Sequence, residues 1–168
     1  MKYVLIGKLV NTHGLKGEVR ILSDFKYKDR VFIPGMKIYI GKEKKEEVIS
    51  TYRHHKIFEM ITMNAYNDIN EVLKYKGNYV FVNKEDIKLA DNEYLNEDII
   101  GLRVYVDDKY LGEVTRIENH HGNEILVVTN DKNGVVTRRL LPYNMNIIKS
   151  INLQNNEIYV EKIDGLTN

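Results

Sequence analysis

The segment Gly7-Lys8-Leu9-Val10-Asn11-Thr12-His13-Gly14-Leu15-Lys16-Gly17-Glu18 is the part of the chain that most invites a chemical reading. Glycines beside lysines suggest a phosphate loop. A P-loop, however, needs a lysine followed by serine or threonine after its second glycine, so that backbone N–H groups cradle the phosphates and the hydroxyl reaches the metal. Neither Gly14-Leu15-Lys16 nor Gly17-Glu18 supplies that pattern, and no GxGxxG dinucleotide fingerprint is present. The spacing instead predicts a tight loop between two strands, with Gly14 and Gly17 in dihedrals closed to other residues. Five histidines follow: His13, His54, His55, His120 and His121. Neighbours on a strand point to opposite faces, and zinc wants three or four convergent ligands, so no metal site is expected. Ser23, Ser50 and Ser150 are the candidate serine nucleophiles, and none sits in a G-x-S-x-G elbow. With no cysteine in the chain, disulfides, thiolate nucleophiles and thiolate metal sites are excluded. No catalytic residue and no cofactor is expected. An RNA-modifying enzyme with an unrecognised site stays open as a rival reading.

Basic residues interleaved with aromatics point elsewhere. Lys16, Arg20, Lys26, Tyr27, Lys28 and Arg30 cluster early, and Tyr52, Arg53, His54, His55 and Lys56 later. Cations hold phosphates, and aromatic or guanidinium planes stack on unpaired bases. Charge is divided along the chain. Residues 1–90 carry 17 Lys and Arg against 11 Asp and Glu, and residues 91–168 carry 8 against 13, so a net +6 meets a net −5. A basic half suits a phosphate backbone; an acidic half repels nucleic acid and attracts a basic protein. No apolar run approaches the roughly 20 residues of a membrane span, and the short apolar stretch after Met1 lacks the features of a signal peptide. A cytoplasmic protein without membrane contact is expected.

The elements that must position these residues are mostly strands. Period-two patterns or short apolar runs predict strands over Tyr3–Val10, Glu18–Leu22, Met36–Ile40, Val48–Tyr52, Ile57–Met63 and Tyr79–Val82. A second series covers Gly101–Val106, Leu111–Ile117, Ile125–Thr129, Val135–Leu141 and Glu157–Val160. Asp107-Asp108-Lys109 and Asn130-Asp131-Lys132-Asn133-Gly134 read as turns. Asp68–Tyr75 predicts a helix with Ile69, Val72 and Leu73 on its buried face and Asn67 as N-cap. Asn144–Ser150 suggests one helical turn, and Lys42–Glu47 a solvated hairpin tip. Many short strands with close turns imply a mostly β fold of two small barrels with one or two short helices. The domains expected are 1–84 and 98–168, joined by a polar linker over 85–97. No coiled-coil seam is present, and a monomer is expected.

The run from Gly7 to Val19, with His-Gly-Leu-Lys-Gly-Glu at its centre, closely resembles the opening of the RimM family of bacterial ribosome maturation factors. Glu93-Tyr94, Asp98-Ile99-Ile100-Gly101-Leu102, Leu111-Gly112-Glu113-Val114, Gly122–Val128, Leu140-Leu141-Pro142 and Asp164-Gly165-Leu166 resemble that family's C-terminal PRC barrel, in order. The resemblance implies a translation-factor-like N-terminal barrel, and a non-enzymatic assembly chaperone that binds the free small ribosomal subunit. It further implies help in maturing that subunit's head, support of 16S rRNA processing, and binding of the head protein numbered nineteen. A PRC-type adaptor with a protein partner and no RNA role is the second rival. His13, Lys16, Arg20 and Arg53 are the residues expected to meet rRNA, and Tyr94 and Leu95 the ribosomal protein. The family commonly has two consecutive tyrosines where this chain has Tyr94-Leu95.

Overall fold

The computed structural model describes residues 1–168, which divide into two compact units, Met1–Asp91 and Asn92–Asn168. In the first, alternating apolar residues build β1 (Tyr3–His13), β2 (Glu18–Leu22), β3 (Lys37–Ile40), β4 (Lys45–His55), β5 (Phe58–Met63) and β6 (Tyr79–Asn83). They close a barrel in the order β1-β2-β5-β4-β3-β6 with every pairing antiparallel. Closure leaves no free strand edge. Ile6, Leu9, Val19, Ile21, Ile38, Ile61, Val80 and Val82 are among the side chains sealed in its core. Gly7 lies at a register shift in β1, where a Cβ would stand 2.7 Å from the Leu22 carbonyl oxygen.

The expected helix is shorter and turned differently. α1 spans Ile69–Val72 and tightens at once into a 3-10 turn, Leu73–Tyr75. Asp68, not Asn67, caps it, its carboxylate accepting from the Asn70 N–H at 2.7 Å. Tightening aligns residues i and i+3, so Val72 and Tyr75 form the buried face, while Leu73 is left 46% exposed. The Lys42–Glu47 cluster is also only partly a solvated tip. Glu47 is buried, and the hydroxyls of Tyr66 and Tyr75 both donate to its Oε2.

The second unit holds α2 (Asn96–Ile99), β7 (Arg103–Val106), β8 (Lys109–His120), β9 (Asn123–Lys132), β10 (Val135–Pro142), β11 (Ile148–Asn152) and β12 (Glu157–Val160). They form one six-stranded sheet in the order β10-β9-β8-β7-β12-β11, with β7 and β12 parallel. Leu141 from one edge strand and Ile148 from the other enter the same core cluster as Val104, Val114, Val128 and Ile158, so the sheet curls about that core. Asn133 and Gly134, both at positive φ, make the two-residue turn between β9 and β10, as Asn-Gly hairpins require. β11 had no sequence signal of its own: a register shift between Ile148 and Ser150 breaks its alternation. The helical turn before it closes with the Ile148 N–H on the Asn144 carbonyl at 2.9 Å.

The division between units falls within the polar stretch 85–97, although both ends of that stretch are packed. Ile87 is buried, the Lys88 carbonyl accepts from Arg30 Nη1 at 2.9 Å, and Leu95 is buried.

Candidate nucleic-acid interface

Strand alternation divides the basic cluster on β4. Tyr52 and His54 turn towards Glu59 on β5, while Arg53 and His55 face outward. Pairing places Arg20, Met60 and Arg53 in one cross-strand row on β2, β5 and β4. Met60 is wholly shielded from solvent between the two arginines. The Arg20 guanidinium lies 5.5 Å from the Phe58 ring centre and its Nη2 donates to His13 Nδ1 at 2.6 Å. Arginine only donates, so Nδ1 is the accepting atom of this pair. The His13 and His55 rings are 5.9 Å apart. Three of the four expected rRNA residues, His13, Arg20 and Arg53, thus meet on one outer face. Lys16 stands apart, exposed at the tip of the loop between β1 and β2.

That loop is held from behind. The Ile69 N–H donates to the Leu15 carbonyl at 2.9 Å, and a Cβ on Gly17 (φ +89°) would meet the Asp68 backbone nitrogen at 3.3 Å. Gly14 is also at positive φ. The glycines of the motif serve backbone geometry, as their spacing predicts.

The face is electropositive with one internal counter-charge. Arg53 Nε and Nη2 both donate to the Glu18 carboxylate at 2.8 Å. The hydrogen bonds and charge of Arg53 hold the Glu18 carboxyl below its ordinary value, and the same pairing raises Arg53. The Nε–Nη2 edge of Arg53 is thereby occupied by Glu18, and its Nη1 side faces away from that carboxylate. Burial lowers the His55 pKa, and Arg53, Lys56, His13 and Arg20 lower it further, in the direction set by clustered positive charge. The sequence marks His55 within the later basic cluster but does not bring it to this face with Glu18, Phe58 and Met60; period-two projection of β4 alone pairs His55 with Arg53.

Behind the face, Glu59 is almost fully buried and accepts from the Tyr52 hydroxyl at 2.6 Å and from His54 at 2.9 Å, with Lys28 Nζ at 3.6 Å. Burial pushes its pKa up; the bonds from Tyr52 and His54 and the charge of Lys28 outweigh that and leave it lowered. A lowered folded pKa adds stability that is complete above the unfolded value, near 4.5, and is lost as pH falls through the folded value. In urea unfolding, the stability gap between wild type and Glu59→Gln should hold constant above about pH 5.5 and narrow below it. A gap unchanged into strong acid would contradict this assignment.

A model of the RimM N-terminal domain matches residues 4–87, and a model of the RimM PRC barrel domain matches residues 96–166. The chain belongs to the RimM family of ribosome maturation factors. A RimM from Staphylococcus haemolyticus is 37% identical over 97% of this chain and 98% of its own length. One from Ligilactobacillus salivarius is 38% identical over 99% of each. A crystal structure of a RimM from Pseudomonas aeruginosa, described as a 16S ribosomal RNA processing protein, is 22% identical, covers 96% of this chain and 98% of that one, and superposes with a TM-score of 0.47.

The basic-aromatic face lies wholly within the RimM N-terminal domain, while Tyr94 and Leu95 fall between the two matched RimM segments. Leu95 is only 3% exposed, which corrects its expected role: a side chain turned into the fold cannot reach a partner. Tyr94 is half-buried, packed against the core of the PRC barrel. α2 follows directly, and Asn96 Nδ2 donates to Glu124 Oε2 at 3.1 Å, tying the entry of the RimM PRC domain to β9. No group of three or more His, Asp or Glu converges in either RimM domain, and no helix is long and apolar enough to cross a membrane.

Proposed function

We propose that this protein is a cytoplasmic, non-catalytic assembly factor. In this reading it binds the free small ribosomal subunit, assists maturation of its head, and supports 16S rRNA processing. The observation that carries the reading is the pair of RimM domains in order along the chain, the first of which contains the Arg20–Met60–Arg53 row. His13, Lys16 and Arg20 meet rRNA in this account, with Arg53 contributing its outer edge. Arginine guanidinium groups hold phosphates while Phe58 and the imidazoles offer surfaces on which unpaired bases stack. The second unit, with 8 Lys and Arg against 12 Asp and Glu over residues 92–168, faces a basic ribosomal protein, that numbered nineteen, with Tyr94 as one contact. The mechanism is differential binding: the factor favours one conformation of the immature head and leaves when mature contacts replace its own. Sedimentation of the full chain with immature small subunits tests the reading. Co-migration with free small subunits, and not with complete ribosomes, is expected; equal partition between them would overturn it.

A further inference from the structure

The outer face of the PRC unit carries two cross-strand rows. Pairing aligns Tyr110, Tyr105 and Tyr159 across β8, β7 and β12, and beside them Glu113, Arg103 and Glu157. The tyrosines form a ladder, Tyr105 lying 5.5 Å from Tyr110 and 5.4 Å from Tyr159, the latter pair stacked at 23°. Tyr110 is 42% exposed. Arg103 already occupies part of the charged row, with Nη2 3.6 Å from Glu157 and donating to the Asn155 carbonyl at 2.7 Å. Glu113 stands exposed at the end of that row opposite Glu157, and Asp108 sits in the turn between β7 and β8.

An exposed π surface rimmed by carboxylates has one fitting ligand, a cation carried on a flat or apolar stem. Rings attract a guanidinium through their faces, and carboxylates take its N–H groups. Tyrosine is also the residue type enriched where proteins meet. A phosphate chain is disfavoured, because residues 92–168 are net acidic and the carboxylates border the ladder itself. An extended peptide repeats its same-side side chains at about 6.8 Å, so successive arginines fall near successive rings. Burial and neighbouring carboxylates raise the Tyr110 and Tyr159 pKa, keeping both hydroxyls protonated.

We propose that the Tyr110–Tyr105–Tyr159 ladder, with Glu113, Asp108 and Glu157 at its rim, captures an extended arginine-rich segment of a protein partner. This rests on the reading of the PRC unit as the protein-binding half and adds the surface and the chemistry it recognises. The probe is a short synthetic peptide alternating arginine and serine, added to the full chain while the tyrosine ring resonances are followed by NMR. A glutamine-for-arginine peptide and a short oligouridine are the comparisons. The arginine peptide should shift the rings of Tyr105, Tyr110 and Tyr159, with an affinity that falls as salt rises. Tyr110→Ala should weaken it about three- to tenfold and Glu113→Gln by a similar factor, while Tyr110→Phe, which keeps the ring, should bind nearly as wild type. Equal shifts with the glutamine peptide, ring shifts with oligouridine instead, or unchanged affinity in Tyr110→Ala would overturn the proposal and leave the ladder as sheet packing. Loss of peptide binding with co-sedimentation intact removes this surface alone; intact peptide binding without co-sedimentation removes the ribosomal reading.

Discussion

Replacement of Gly112 by alanine is expected to destabilise the second unit by about 3–5 kcal/mol, the upper range for a single substitution. Gly112 is buried in β8 with φ +141°, a backbone conformation that side chains disfavour. A Cβ there would lie 2.5 Å from the Thr129 carbonyl oxygen, 2.8 Å from its carbon and 3.1 Å from the Asn130 nitrogen. All three atoms belong to the backbone of β9, so relief requires parting two strands of one ladder. Gly134 is the internal comparison. It also has positive φ, but a Cβ would meet nothing within 4 Å, and alanine there should cost only about 1–2 kcal/mol. Hydrogen exchange at the Val114 and Val128 amides reads both variants. If Gly112→Ala left their protection within about tenfold of wild type, or about 1.4 kcal/mol, the close approach would not be decisive.

Glu47→Ala should be the second large effect, lowering stability of the first unit by about 2–4 kcal/mol. Its Oε2 accepts from both Tyr66 and Tyr75, and the Lys74 ammonium lies 4.8 and 5.2 Å from the centres of those two rings. Without the carboxylate, the hydroxyls are left with each other at 3.3 Å. A buried hydroxyl left unsatisfied costs its full desolvation penalty, and the two tyrosines can satisfy only one of their donors with each other. Glu47→Gln retains an oxygen acceptor and should recover about half of the loss. Burial and the bonds to Glu47 and Tyr66 push the Tyr75 pKa far up, so its hydroxyl remains a donor. The consequence reaches the interface. The segment Glu47 anchors includes α1, whose Ile69 N–H holds the Leu15 carbonyl behind the Lys16 loop. Thermal unfolding measures the stability, and faster exchange at Ile69 would report release of the loop.

Strands with unbroken alternation were legible with both ends correct: Glu18–Leu22 and Glu157–Val160 are the cases. β11 was not, because Ile148 and Ile151 lie three residues apart in the sequence, a spacing that reads as helix or loop and that the strand accommodates through a register shift. The 3-10 continuation of α1 moved burial from Leu73 to Tyr75, which an α-helical period of 3.6 does not anticipate. Glu47 was hidden in a run of charges, since its partners lie 19 and 28 residues on. In the same way, Arg53 looked like a free cation because Glu18 lies 35 residues earlier. The convergence of His13, Arg20 and Arg53 was expected from residue type and motif; their arrangement around Met60 and Phe58 depends on barrel register. Leu95 was misassigned because a position next to a recognisable tyrosine carries no sign of which way its side chain turns.

In the proposed function, the first unit holds the immature small subunit through rRNA phosphates at the Arg20 face. The most direct test is the salt dependence of affinity for immature small subunits, for wild type and Arg20→Ala side by side. Each phosphate contact releases condensed counterions, so log affinity should fall linearly with log salt concentration, and loss of Arg20 should reduce the slope by about one. Affinity independent of salt, or equal slopes for the two proteins, would contradict the account.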